Sequence, residues 1–247
     1  MNLHEFFQEC PSVALAFSGG VDSSYVLHAA VGHGADVGVY YVKTVFQPDF
    51  EFRDAKEFAA RAGVRLTILE MDVLNESRIA ANPPERCYFC KRAIFDAIIK
   101  QAARDGYKTV IDGTNASDDA GDRQGMRALA ELSVRSPLRE CGLSKDEIRK
   151  LSREADLPTW DKPAYACLAT RIPTGQKITP ELLRKVESAE DALFALGFSD
   201  FRVRVAGDAA RLQLPAAQMQ DALEKREAIL SGLRPDFPYI WLDLDSR

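Results

Sequence analysis

Residues 13–30, VALAFSGGVDSSYVLHAA, decide the fold. VALAF (13–17) is a short apolar run; it ends in SGGVDSS (18–24) and passes into an apolar-periodic segment closed by glycine, which predicts strand, glycine turn and helix. A glycine pair directly after a buried strand lets the backbone turn tightly. It also points amide N–H groups outward at a helix N-terminus, where phosphate binds. Ser18, Gly19, Gly20, Asp22, Ser23 and Ser24 are therefore candidate phosphate-site residues. Asp22 is a poor neighbour for phosphate unless it helps to carry Mg2+, so a metal–phosphate site is implied. The spacing is not that of a GxxxxGK[ST] loop, and the lysine of that loop is absent.

Working outward, DVGVYYV (36–42) reads as a second strand, DFEFRDAKEFAARAG (49–63) as a helix and VRLTILEMDV (64–73) as a third strand. KRAIFDAIIKQAARDG (91–106) reads as an amphipathic helix, and KTVIDGTN (108–115) as a fourth strand with its exit turn. This alternation predicts an α/β doubly wound parallel sheet, with ligands where strand C-termini meet helix N-termini. Asp112, Gly113, Thr114 and Asn115, followed by Asp118, Asp119 and Arg123, would then face the same crevice as the first turn. Taken alone, DGTN reads equally well as an Asp-Gly turn. A helix follows a Ser144 cap, and from about Thr179 the pattern changes: helix (180–196), strands FRVRVAG (201–207) and AARLQLP (209–215), helix (216–231) and a last strand near YIWLDLD (239–245). The expected division is a larger domain over 1–176 and a small α+β domain over 177–247.

The chain has 247 residues, enough to bury a substantial core, and its 46% apolar and 28% charged residues suit a folded globular protein. Thirty-two Lys+Arg against 37 Asp+Glu leave a net charge of −5, so no bulk positive field holds a polyanion such as tRNA. No run reaches membrane-spanning length and no basic leader precedes an apolar core, so the expectation is a cytoplasmic protein that binds no membrane. Five cysteines, an odd number, fit thiols or metal ligands better than a disulfide framework.

Two of those cysteines form the CxxC of RCYFCK (86–91). Structural zinc wants four ligands, and neither His4, His28 nor His33 has ligand spacing with Cys87 and Cys90. Cys167, in the loop KPAYACLATRIPTG (162–175), supplies a third thiol; three suit a [4Fe-4S] cluster with one iron open. A redox dithiol at 87/90 beside a lone buried thiol at 167 is the other reading. Cys10 and Cys141 read as structural. Arg202 and Arg204, at i and i+2, project from one face of a strand and suit a substrate phosphate, or else form a solvated face.

SGGVDSS resembles the PP-loop of the N-type ATP pyrophosphatases. Together with NPPERCYFCK (82–91), VRSPL (134–138) and LPTWDKPAYACLATRIPTG (157–175), it makes nearly the whole chain similar to the LarE sulfur transferases. The resemblance implies ATP, Mg2+ and a [4Fe-4S] cluster. It also implies adenylation of a carboxylate of pyridinium-3,5-biscarboxylic acid mononucleotide, followed by conversion to a thiocarboxylate for the nickel-pincer nucleotide cofactor. On this basis Asp22 and Cys167 are catalytic; Asp112, Gly113, Thr114 and Arg123 join the glycine loop in holding nucleotide. Arg171, Arg202, Arg204, Glu190 and Asp221 bind substrate, with Gln213 a departure where the pattern often has an acid. Cys87, Cys90 and Cys167 are cluster ligands, unless Cys167 is a sacrificial sulfur donor. Implied partners are the small-molecule nucleotide substrate, other nickel-pincer cofactor maturation proteins and further copies of the chain as a homo-oligomer, with no stably bound nucleic acid. A tRNA thiolation enzyme shares the PP-loop and paired cysteines; an amide-forming ligase such as NAD synthetase needs no cysteine; a non-enzymatic module leaves the motif idle.

Overall fold

The structure is a computed structural model describing residues 1–118 and 123–245, with the side chain of Arg123 outside that description. In chain order the elements are α1 (Leu3–Glu9), β1 (Ser12–Ala16), α2 (Val21–Gly32), β2 (Asp36–Lys43), α3 (Asp49–Arg61), β3 (Leu66–Glu70), α4 (Ser77–Ala80), α5 (Arg86–Arg104), β4 (Val110–Ile111) and α6 (Arg123–Glu131). They continue as α7 (Pro137–Glu140), α8 (Lys145–Glu154), α9 (Pro180–Ala195), β5 (Arg202–Ala206), β6 (Ala209–Gln213), α10 (Met219–Glu224), α11 (Arg226–Leu233) and β7 (Tyr239–Leu242). The described chain divides into two compact units. The first comprises Met1–Thr44, Asp49–Val73 and Glu85–Lys162, and the second Val45–Pro48, Leu74–Pro84 and Pro163–Arg247.

The first unit is a four-stranded parallel sheet in the order β3-β2-β1-β4. Because side chains alternate across a strand, β1 feeds two cores. Val13 and Leu15 pack with Val39, Tyr41 and residues of α2 and α3, whereas Ala14 packs with Tyr40, Val42 and residues of α5 and α6. A strand buried on both faces explains why VALA reads as a continuous apolar run without alternation. The order places β2 on one side of β1 and β4 on the other, so the direction of winding reverses between β1 and β4. Beyond the carboxyl ends of these strands lies the crevice in which an open α/β sheet takes its ligand.

In the second unit β5, β6 and β7 form a mixed sheet, β5 antiparallel and β7 parallel to β6, with Arg202 opposite Gln213 and Arg204 opposite Arg211. α9 starts where sequence logic puts it: the Thr179 hydroxyl accepts from Leu182 N at 3.2 Å and Pro180 fills the first helical position. The earlier insertions belong to this unit through backbone bonds. Gly175 N donates to Asn82 O at 2.7 Å, Ile178 N to Ala80 O at 2.8 Å and Leu168 N to Phe46 O at 2.9 Å.

Two element boundaries differ from expectation. RCYFCK does not precede a helix; it forms the opening of α5, which starts at Arg86 because Pro83 and Pro84 end the preceding segment and Glu85 sits outside helical geometry (φ −84°, ψ 5°). The helix expected over 216–231 is split, a 3₁₀ turn leading into α10 and Lys225 (ψ 15°) breaking the chain before α11. No helix of the described residues is long and apolar enough to cross a membrane.

Candidate functional site

The turn SGGVDSS lies at the exit of β1, where Phe17 N donates to Tyr40 O at 2.8 Å and keeps the strand paired up to the bend. Gly19 is left-handed (φ +73°), and a Cβ there would stand 2.9 Å from Cα and Cβ of Ala55 on α3. Both conformation and space thus demand glycine. The serine hydroxyls organise the bend. Ser23 Oγ accepts from Ser18 N and donates to Gly20 O, each at 3.3 Å, and the Ser18 and Ser23 hydroxyls are 3.1 Å apart. Gly20, the N-cap of α2, has no side chain with which to cap the helix and its own N–H donates to Ser18 Oγ at 3.4 Å; among the described residues the first-turn amides have neither an intrahelical nor a capping partner. Such an end receives anions. Ser24 Oγ is buried without a partner among the described residues.

The exit of β4 closes on this turn. A Cβ on Gly113 would come within 2.8 Å of Ser23 N, so DGTN and SGGVDSS are in backbone contact. Asp112 is buried; its carboxylate accepts from Ser136 Oγ at 2.7 Å and from Thr114 Oγ1 at 2.5 Å and N at 3.2 Å. Burial pushes its carboxyl above the ordinary value, opposed by those hydrogen bonds. Asp112 thus braces the turn that presents Gly113 and Thr114. Asp22, at the helix start, sits 2.6 Å from Lys145 Nζ, and Asn115 Nδ2 approaches its other oxygen at 3.4 Å. Lys145 opens α8 behind the Ser144–Glu147 capping box, with Lys145 N donating to Ser117 Oγ at 3.0 Å. Asp119 and the Arg123 side chain lie outside the described residues. Sequence reasoning missed Lys145 and Lys162, both brought to the glycine loop from far along the chain; the SKDE cap marked a helix start without saying what it met.

Cys87 and Cys90 are partly exposed in the opening turns of α5, three residues apart and so on one helix face. Between them Tyr88 donates to Glu131 at 2.6 Å and lies under the Arg127 guanidinium at 4.0 Å, which fixes this end of α5 against α6. Cys10 is buried, with Arg135 Nη1 3.1 Å from its sulfur, and burial pushes the Cys141 thiol up. No two cysteines are disulfide-bonded.

In the second unit Cys167 immediately precedes a 3₁₀ turn, Leu168–Arg171, and its carbonyl accepts from Thr170 Oγ1 at 2.8 Å and Thr170 N at 3.0 Å. Three arginines hold the loop by its carbonyls. Arg202 donates to Ala164 O at 2.9 Å, Arg171 to Ala166 O at 2.6 Å and Cys167 O at 3.3 Å, and Arg204 to Thr170 O at 2.7 Å. Arg171 and Glu190 form a fully buried ion pair at 2.8 and 3.1 Å, and Glu190 also accepts from Val203 N and the Tyr165 hydroxyl. Arg171 and Arg202 both lie over the Tyr165 ring, at 4.4 and 5.2 Å. Arg204 additionally bonds Gln213, whose amide donates to Asp243 at 2.9 Å; an acid therefore stands one residue beyond the partner. The structure brings Arg171, Glu190, Arg202 and Arg204 together around the cysteine loop, whereas Asp221 lies on exposed α10, 4.0 Å from Lys225.

Within each unit, no three His, Cys, Asp or Glu among the described residues gather as a metal site. Cys87 and Cys90 share a helix face of the first unit, and Cys167 sits in the second on a loop whose backbone is held. Asp22, whose carboxylate pairs with the Lys145 ammonium, offers Mg2+ one oxygen ligand, the others to come from phosphate and water.

A parallel sheet whose central strand runs into SGGVDSS, with DGTN from the neighbouring strand packed against it, defines an α/β protein of the PP-loop ATP pyrophosphatase type with a small mixed-sheet second unit. No family model matches the chain. It is 38% identical to an uncharacterized protein of Synechocystis sp. over 99% of this chain and 92% of that one. It is 33% identical to the pyridinium-3,5-bisthiocarboxylic acid mononucleotide synthase of Lactiplantibacillus plantarum over 94% of this chain and 85% of that protein. A tRNA-specific 2-thiouridylase of Carboxydothermus hydrogenoformans is 28% identical over 61% of this chain and 53% of its own. The chain belongs to the LarE family.

Proposed function

We propose that this protein is an ATP-dependent sulfur transferase that converts a carboxylate of pyridinium-3,5-biscarboxylic acid mononucleotide into a thiocarboxylate for nickel-pincer nucleotide cofactor biosynthesis. The observation that carries this reading is the near full-length likeness to the Lactiplantibacillus plantarum synthase. In the first half-reaction a substrate carboxylate oxygen attacks the α-phosphorus of ATP, the bond to the bridging oxygen breaks, and pyrophosphate leaves. The first-turn amides of α2 with Ser18, Ser23 and Ser24 hold the phosphates, Gly113 and Thr114 line the facing wall, and Arg123 is assigned to the nucleotide. Asp22 holds Mg2+, which supplies neutralisation of phosphate charge when bound. In the second half a sulfur nucleophile attacks the acyl carbon and AMP departs.

Cys87, Cys90 and Cys167 would hold a [4Fe-4S] cluster, which supplies a replaceable sulfide when bound. Arg202 and Arg204, with Arg171, Glu190 and Asp221, are assigned to substrate; for the first four the mode is holding the cysteine loop in place. Residues 177–247 form the substrate-binding and oligomerisation domain of a cytoplasmic homo-oligomer that works beside other maturation proteins of the cofactor.

The test is anaerobic purification, measurement of iron and acid-labile sulfide, and turnover with the mononucleotide, Mg-ATP and sulfide. AMP and pyrophosphate should form with thiocarboxylate, and about four irons per chain should be present. In Cys167→Ala the cluster and the thiocarboxylate should both be lost while pyrophosphate release continues. Absence of iron after reconstitution would make Cys167 a sacrificial donor. Failure to form AMP would sink the enzyme reading, and tight retention of bulk tRNA would turn it toward tRNA thiolation.

A further inference from the structure

The glycine loop carries no lysine of its own, yet one reaches it from the segment LPTWDKP. Lys162 is largely buried, its side chain 17% exposed; its ammonium lies 2.7 Å from Asp54 Oδ2, 3.5 Å from Gly19 O and 5.9 Å from the centre of the Phe50 ring. The approach is built into the backbone. Arg149, from α8, donates to the carbonyls of Trp160 at 2.7 Å and Lys162 at 2.8 Å, Lys162 N donates to Thr159 O at 3.1 Å, and Arg153 lies over the Trp160 ring at 5.1 Å. Two arginines therefore hold a short loop so that one lysine meets the left-handed glycine of the phosphate turn. A cavity of ≈ 330 Å³ beside it is lined by Asp54, Glu57, Phe58, Arg61, Asp161 and Lys162, leaving room for the side chain to move.

The strength of the Asp54 pair decides what this lysine can do. Asp54 is 46% exposed, so water screens its side of the pair, and ion pairs open to solvent contribute little. A polyphosphate arriving at the uncapped end of α2 presents several negative charges to an ammonium held by one half-exposed carboxylate and a long contact to Gly19 O. We infer that Lys162 binds the pyrophosphate portion of ATP, leaving Asp54 for the phosphates and giving this fold the cation that its glycine loop lacks. The inference rests on the ATP-dependent reading above.

Binding of Mg-ATP, pyrophosphate and AMP is to be measured by calorimetry on wild type, Lys162→Met, Lys162→Arg and Asp54→Asn, with thermal melts to establish folding. Lys162→Met should weaken ATP and pyrophosphate about tenfold or more and change AMP by less than about threefold, since only the pyrophosphate loses a charged donor. Lys162→Arg should recover most of the loss, and Asp54→Asn should bind ATP as tightly as wild type or more tightly. Equal losses for ATP and AMP, or an Asp54→Asn loss matching that of Lys162→Met, would make the pair a structural brace and overturn the inference. Unchanged ATP binding in folded Lys162→Met would overturn it while leaving the function standing. A wild type that binds neither nucleotide would overturn the ATP-dependent reading itself. Should Lys162→Met not fold, Lys162→Gln and Lys162→Arg carry the same comparison.

Discussion

The glycine turn of the first unit and the cysteine loop of the second use opposite means to shape a short segment. SGGVDSS is shaped by what is missing, namely a Cβ at Gly19 and a capping side chain on α2, so backbone donors are left over. The loop 164–171 is shaped by what is added, three arginines whose donors converge on the carbonyls of residues 164, 166, 167 and 170. One segment keeps its backbone donors open, whereas the other has its carbonyls occupied by side chains.

The sharpest way to break this contrast is to remove one half of the buried pair that anchors the cysteine loop. Glu190→Gln or Arg171→Met should cost roughly 3–5 kcal/mol, because the surviving charge stays buried without its partner. Denaturant unfolding would measure this, and replacing both residues together with apolar side chains should cost clearly less. A loss below 1 kcal/mol for the single variants would mean that the arginines do not hold the loop.

Gly19→Ala tests the other side. Left-handed backbone costs a residue with a Cβ roughly 1–3 kcal/mol, and the added methyl meets Ala55 at 2.9 Å. Stability should therefore fall by about that amount, with ATP binding falling further because the amides are re-aimed. Stable Gly19→Ala that binds ATP normally would refute a turn defined by absent atoms.

The smallest effect concerns Asp112, whose carboxyl is held above the ordinary aspartate value mainly by burial. For an acid with a raised folded-state value, the contribution to stability is fully present below the unfolded value and is lost as pH rises through the folded one. Stability measured upward from about pH 4 should therefore gain in Asp112→Asn relative to wild type. A difference that shrinks with rising pH would reverse the assignment.

Much of the glycine turn's geometry was legible because its signals are local. A buried apolar strand, a glycine pair and an apolar-periodic helix are contiguous in residues 13–32, and DGTN marks its own strand exit. Thr179 and Pro180 announced α9 in the same way. Illegible were the pairings set by tertiary packing: Lys145 and Lys162 reach Asp22 and Gly19 across more than a hundred residues, and nothing in their immediate neighbours encodes the destination. The helix expected from Lys91 starts at Arg86, because CYFC carries no cap signal and the proline pair upstream sets the start. Arg202 and Arg204 were legible as a matched pair on one strand face, yet the carbonyls they bind lie on a loop with no periodicity to mark it.

The strand order also sets a timetable for assembly. β1 finds β2 within a few tens of residues, but its other neighbour, β4, begins only at residue 110. SGGVDSS leaves a ribosome well before DGTN, so its crevice lacks one wall until residues 110–115 follow. Contacts between residues so far apart in sequence form slowly. Nucleotide that engages only the completed crevice would then act late, as a seal on a finished sheet, with no part in starting it.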